Sequence, residues 1–280
     1  MNLSRRSLIF AMGISALADS GVPGPLGLEL YSLRREIAKD LPGTLAFTRR
    51  LGFTDVEVPQ LYGLPANKFR SELDKAELEC SAMVAPEARI RTGLASVADD
   101  ARTLGAGYVI YPWIAHSASG FQRDDCLRAA EDFNRWGEQL KTAKLQFCYH
   151  PHGYEFAPSP QGTLLDTLIQ QTHPETVQYQ MDVFWIAWPG QDPVQYLRKY
   201  QDRFPLMHLK DLRKGIKGNQ TGQAPEDASV PVGTGSIDFR AVLETARTVG
   251  VKRFYIEDES SEAPKQIPQS LQYLRSLLLT

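Results

Sequence analysis

The sequence predicts a single-domain α/β protein, a (β/α)8 barrel of TIM type. Eight short apolar runs alternate with eight helical patterns, which implies a parallel sheet with crossover helices. Eight such units in about 260 residues match the size of a closed barrel. No Gly-rich phosphate fingerprint opens the first helix, which counts against the alternative, an open doubly wound sheet. At 280 residues, 42% hydrophobic and 23% charged, the chain has enough apolar material for one large core.

The barrel is read from residue 26 to residue 280, after a Pro/Gly-rich join over 21–25. Strands are expected at 26–32, 53–58, 80–85, 108–111, 145–149, 177–181, 206–209 and 253–256. Helices are expected at 41–51, 67–78, 94–104, 124–144, 162–171, 192–200, 237–248 and 266–279. Gly52, Gly105 and Gly250 close three of them, Asn67 is a candidate N-cap, and Asp192-Pro193 places a cap before proline at N1. Along 124–144, Leu127, Ala130, Phe133, Trp136 and Leu140 share one face. Residues 213–230 are long, polar and Gly-rich, and are read as either a mobile lid or a solvated insertion.

The N-terminus has the pattern of a leader. Ser4-Arg5-Arg6-Ser7-Leu8-Ile9-Phe10 carries twin arginines, and the apolar run after it ends in the small-x-small site Ala16-Leu17-Ala18. The run is shorter than the ~20 residues a spanning helix needs. The expectation is a twin-arginine signal peptide over 1–18, export to the periplasm, and no stable membrane insertion after cleavage. Cleavage removes Arg5 and Arg6 and no acidic residue, so a chain of net charge −2 becomes more acidic still. That argues against nucleic acid as partner. Cys80, Cys126 and Cys148 show no framework spacing; Cys148 lies in an apolar strand and reads as a buried thiol.

The chemistry gathers at strand ends. Residues 145–149 run into His150-Pro151-His152-Gly153-Tyr154-Glu155. Asp182, His208 and Glu257 each follow apolar residues at the ends of three later strands. In a barrel these ends converge on one face, and a carboxylate buried there calls for a partner or a metal. A fourth ligand comes from Glu155, His150 or His152 after strand five. Such a mixed N/O set suits Mn²⁺, Zn²⁺, Co²⁺ or Fe²⁺, with Mg²⁺ less favoured. His116 and His173 read as surface residues. Trp185 and Trp188 are read as core or as a stacking face for a sugar.

Gly27-Leu28-Glu29-Leu30-Tyr31-Ser32-Leu33-Arg34, Gly52-Phe53-Thr54-Asp55-Val56-Glu57, residues 149–156, His208-Leu209-Lys210-Asp211 and Val232-Gly233-Thr234-Gly235-Ser236-Ile237-Asp238-Phe239 resemble the sugar phosphate isomerase/epimerase family of xylose isomerase-like barrels. The resemblance covers residue 26 to the C-terminus. It implies a divalent ion held by Glu, Asp, His and Glu from strands five to eight. The last three fall on Asp182, His208 and Glu257. The glutamate that ends strand five in ketose epimerases aligns with His150, and Glu155 is taken as the fourth ligand because it restores the usual charge. Trp185 stands where those epimerases place a histidine.

The chemistry that the resemblance implies is proton removal next to a carbonyl of a sugar or keto-sugar, giving isomerisation, epimerisation or lyase chemistry. Glu257, Glu155 and His150 are candidate acid/bases, and Lys210 either steadies an oxyanion or pairs with Asp211. Export argues against a phosphorylated substrate. Two other classes compete: a metal-dependent hydrolase of endonuclease IV type, and a sugar-binding barrel without catalysis. Five histidines and an acidic balance argue against the first, and stoichiometric metal would argue against the second. Replacing Arg5 and Arg6 together by lysine should leave the precursor in the cytoplasm; a double variant recovered from the periplasm would remove the twin-arginine reading.

Overall fold

The computed structural model describes residues 22–160 and 162–277, so the leader read at 1–18 lies outside them. Eight parallel strands close into a barrel in chain order. They are β1 (Leu26–Glu29), β2 (Asp55–Val58), β3 (Glu79–Val84), β4 (Tyr108–Tyr111), β5 (Gln146–Tyr149), β6 (Val177–Asp182), β7 (Leu206–Leu209) and β8 (Arg253–Ile256). Pairing of Leu26 with Phe254 and Leu28 with Ile256 closes the ring. The helices around it are α1 (Leu41–Arg50), α2 (Ala66–Lys75), α3 (Glu87–Leu104), α4 (Arg123–Thr142), α5 (Leu164–Gln171), α6 (Pro193–Lys199), α7 (Phe239–Val249) and α8 (Ala263–Ser276). No helix among the described residues is long and apolar enough to cross a membrane.

Local chemistry moves several boundaries. β1 ends at Glu29 rather than Ser32, because the Glu29 carboxylate accepts the Tyr31 N–H and the chain turns into a 3-10 turn, Leu30–Leu33. α3 starts at Glu87 and kinks at Gly93. Asn67 lies inside α2, whose cap position is Pro65. Asp192 does cap α6, accepting from the Val194 N–H at 2.8 Å.

Side chains alternate along each strand, outward to the helices or inward to the barrel axis. The inward set Ala82, Ile110, Cys148, Leu206 and Tyr255 packs into a central plug. Beneath it, Ser81 Oγ lies 2.6 Å from both Asp55 Oδ2 and the Tyr255 hydroxyl, and Arg253 donates to Asp55 at 3.0 Å. Two residues further along the same strands come Glu57, His150, His208 and Glu257. The pleat that buries the plug therefore aims these four polar residues into the C-terminal mouth.

The two family-like motifs after β7 are halves of one clasp. The Asp211 carboxylate accepts from the N–H groups of Leu212 (2.8 Å), Gly233 (2.9 Å), Gly235 (2.8 Å) and Ile237 (3.2 Å). This ties both ends of the 213–230 segment together, beside a short ladder of Asp211–Leu212 with Ser229–Val230. A Cβ at Gly235 would overlap Asp211 Oδ1 and the Leu212 carbonyl. Gly235→Ala should therefore cost about 1–3 kcal/mol in urea unfolding and speed proteolysis within 213–230. Unchanged unfolding and cleavage would show that the clasp does not hold the segment.

Candidate metal centre

The barrel mouth holds a cavity of about 620 Å³. Trp113, Trp185 and Tyr31 form walls, and Gly222-Gln223-Ala224 of the 213–230 segment form a roof. Of the two readings of that segment, the geometry is that of a cover. Gly222, at φ +73°, packs so tightly that an added Cβ would lie 2.6 Å from Tyr154 and 2.9 Å from Trp113. Gln220 Nε2 donates to the Phe156 carbonyl at 3.1 Å.

Buried His150, Asp182 and His208 each bring one donor atom to within 4.8 Å of the others. Asp182 Oδ1 accepts from Phe184 N–H (2.8 Å) and Trp185 N–H (3.3 Å), capping a one-turn helix, Val183–Ala187. Asp182 Oδ2 is buried with no hydrogen-bond partner. It lies 3.9 Å from both His150 Nε2 and Lys210 Nζ. His208 sits between two carboxylates: Nδ1 is 3.0 Å from Glu257 Oε2, and Nε2 is 3.1 Å from Glu57 Oε1. Gln180 Nε2 donates to Glu57 Oε2 at 2.5 Å, and Gln180 Oε1 is 2.8 Å from His150 Nδ1.

Burial and mutual charge set the proton inventory. Burial opposes a charge on His208, but Glu57 and Glu257 override it and hold the imidazole well above its usual range. Burial also opposes ionisation of Glu257, and Lys210 and His208 override that, holding it well below the usual carboxylate range. Asp182 is pushed up to about 8 by burial, against the pull of Lys210. Burial, then the neighbouring His152 and His208, keep His150 well below its usual range. His152 is pushed down to about 4 by burial and Lys210. Burial and the Glu257 and Glu57 charges push Glu29 well up.

The site departs from the sequence expectation at two residues. Glu155 does not reach the cluster. It sits in a buried 3-10 turn after Gly153, where it accepts from the Tyr149 hydroxyl and from the N–H groups of His152 and Gly153. Tyr149 points outward to the helices, while Cys148 and therefore His150 point inward, so strand five delivers His150. Lys210 does not line the cavity and does not pair with Asp211. Its Nζ lies 2.5 Å from Glu259 Oε1 and 3.6 Å from Glu257 Oε2, over the Phe184 and Trp185 rings at 4.8 and 5.2 Å. Trp185 and Trp188 are both buried, and Trp185 also faces the cavity. His116 is half-buried against Trp113 rather than on the surface, whereas His173 is exposed.

Glu29, Glu57 and Gln180 belong to the site and escaped the reading of strand ends five to eight. A signal was present: each is a polar residue inside a short barrel strand, in phase with Gly27, Asp55 and Asp182. Glu155→Gln would set an amide NH₂ against backbone donors. It should destabilise by about 1–3 kcal/mol and leave metal content unchanged; loss of metal with unchanged stability would return Glu155 to the ligand set.

Residues 45–277 match the sequence pattern described as the xylose isomerase-like TIM barrel. Inosose dehydratase of Lacticaseibacillus casei is 25% identical over 191 residues, 61% of this chain and 63% of that protein. The match thus spans less than two thirds of that relative's own length. A sugar phosphate isomerase/epimerase from Parabacteroides distasonis superposes with a TM-score of 0.72 at 25% identity, covering 90% of this chain and 94% of that one. The IolI protein, solved with a zinc atom, shares the fold at a TM-score of 0.70 and 14% identity, over 90% of this chain and 96% of that one. With its closed parallel barrel and a pattern match over most of its length, the chain belongs to the xylose isomerase-like TIM barrel family.

Proposed function

We propose that this chain is a divalent-metal-dependent enzyme. It removes a proton next to the carbonyl of an uncharged sugar or keto-sugar and expels the hydroxyl one carbon further on, a net loss of water. The observation that carries the reading is the convergence of His150, Asp182 and His208 on the cavity floor, with Asp182 Oδ2 buried and unpartnered. A buried carboxylate oxygen without a donor is costly, and two imidazoles beside it suit a transition-metal ion such as Zn²⁺, Mn²⁺, Co²⁺ or Fe²⁺. His150, Asp182, His208 and Glu257 would hold the ion. Bound there, it supplies Lewis-acid polarisation of the substrate carbonyl.

The chain's own groups supply the rest. His152 Nδ1 faces the His150 carbonyl oxygen at 3.2 Å, so it carries the hydrogen, and Nε2 is left as an acceptor on a ring that lines the cavity. His152, neutral at pH 7, takes the substrate proton. Glu29, kept protonated by burial and its acidic neighbours, gives a proton to the departing hydroxyl. Lys210 offsets the carboxylates from behind the wall. Besides Glu29, the residues Glu57, Glu257 and Glu259 line the cavity with carboxylates, and among the described residues no lysine or arginine does. A phosphate or carboxylate substrate would meet like charge, and so would a nucleic acid. The similarity to inosose dehydratase favours elimination over simple reprotonation. We propose further that residues 1–18 act as a twin-arginine leader and that the enzyme works in the periplasm; the Ser4-Arg5-Arg6-Ser7 pattern supports this.

His208→Ala should lose metal by more than the ~10–100-fold typical of an outer-shell partner and abolish turnover, with the barrel still folded. His152→Gln should keep the metal and lose about 10²–10⁴-fold in kcat. Full metal content and activity in His208→Ala would end this reading.

Metal affinity has a defined pH dependence. The ion competes with the proton on Asp182, which leaves near 8. Affinity should therefore rise as pH increases from 6 to 8, by about tenfold per unit for each proton released, with the proton that Glu57 and Glu257 hold on His208 adding to the slope. A flat profile from 6 to 8 by calorimetric titration would exclude Asp182 as a ligand.

A further inference from the structure

A hydrogen-bonded chain crosses the barrel mouth from β5 to β7 and runs through residues with no ligand role. It links His150 Nδ1 to Gln180 Oε1 (2.8 Å), Gln180 Nε2 to Glu57 Oε2 (2.5 Å), and Glu57 Oε1 to His208 Nε2 (3.1 Å). Glu57, Gln180 and His208 are at most 2% exposed, and His150 is 6% exposed. Water therefore does little to relax the geometry.

The direction of each bond follows from what each group can do. An ionised carboxylate only accepts, so the amide nitrogen of Gln180 must face Glu57. Reversing the amide would put two acceptor oxygens 2.5 Å apart. The Gln180 carbonyl oxygen is thereby turned to His150. It too only accepts, so the His150 hydrogen sits on Nδ1 and the lone pair on Nε2. That lone pair faces Asp182 Oδ2 across 3.9 Å, and once Asp182 is ionised neither atom carries a hydrogen. An acceptor pair of this kind suits a cation. The opposite tautomer would place a hydrogen there instead.

We infer that Glu57 and Gln180 are positioning residues. Glu57 orients the Gln180 amide, and Gln180 fixes the tautomer that turns His150 Nε2 into a donor toward the metal centre. The same Glu57 carboxylate orients His208 from its outer side, so one residue of β2 sets both imidazoles. The tautomer part stands on hydrogen bonding alone; the link to metal rests on the proposal that His150 belongs to the metal centre.

Two measurements separate these parts. In metal-free wild-type protein labelled with ¹⁵N-histidine, two-bond ¹H–¹⁵N correlation at pH 8 should show His150 protonated at Nδ1 and bare at Nε2. The signal is assigned by its loss in His150→Gln. A hydrogen on Nε2 overturns the inference whether or not the protein binds metal, and no β6 variant has to fold for this to be read. In the second measurement, Zn²⁺ is titrated into wild type and Gln180→Met. The variant should bind Zn²⁺ about 10–100-fold more weakly and should lose the Nδ1–H tautomer. Wild-type tautomer and Zn²⁺ affinity in Gln180→Met overturn the positioning role. A wild-type protein that keeps the Nδ1–H tautomer but binds no Zn²⁺ supports the tautomer lock and overturns its link to the metal.

Discussion

The structure depends on one electrostatic constraint: several carboxylates are buried at the same end of a barrel. Glu29, Glu57, Asp182 and Glu257 are all at most 7% exposed. Ionising such buried groups in isolation is unfavourable by several kcal/mol each. The fold answers with His208 between Glu57 and Glu257, and with Lys210 among Glu257, Glu259 and Asp182. The bonds from Gln180 and His208 that satisfy Glu57 and Glu257 also orient those two side chains. The polar floor therefore behaves as a unit, in which tautomers, amide orientation and charge are mutually determined.

Within that unit the positive groups do not reach every oxygen. Lys210 Nζ stops 3.9 Å from Asp182 Oδ2 and is drawn closer to Glu259. With His150 as the strand-five group, a divalent ion would meet two carboxylates, Asp182 and Glu257, and two imidazoles. The charge that a strand-five glutamate would add is present as Glu57, one layer out, joined to His150 through Gln180. Under the proposed reading, a charge moved outward in this way would change how strongly the donors hold an ion without changing their number.

The covering segment depends on a second device of the same kind. Asp211 is buried with its charge spread over four backbone N–H groups, which fixes both ends of 213–230 while its middle lies over the cavity. Gly235 allows the close approach at the clasp, and Gly222 allows the close approach of the middle to Tyr154 and Trp113. The cover packs on Trp113 and Tyr154 by contact, and Gln220 and the Arg35–Glu226 pair tie it to neighbouring elements.

The β/α rhythm, the closing glycines and the strand-end positions of Asp182, His208 and Glu257 were legible in the sequence, because each is a local pattern. The choice of His150 over Glu155 was not. Strand five reads Gln146-Phe147-Cys148-Tyr149, and both its faces are buried, so no apolar/polar alternation reveals which residues point to the axis. Packing of Cys148 into the central plug and Tyr149 against the helices decides that phase. Glu57 was hidden for a different reason. It meets His208 across 151 residues of chain, and no local period records a contact of that length. Sequence alone thus determined the barrel and three of the groups at its mouth. Only barrel closure, by fixing strand phase and bringing β2 within reach of β6 and β7, decided which partners those groups face.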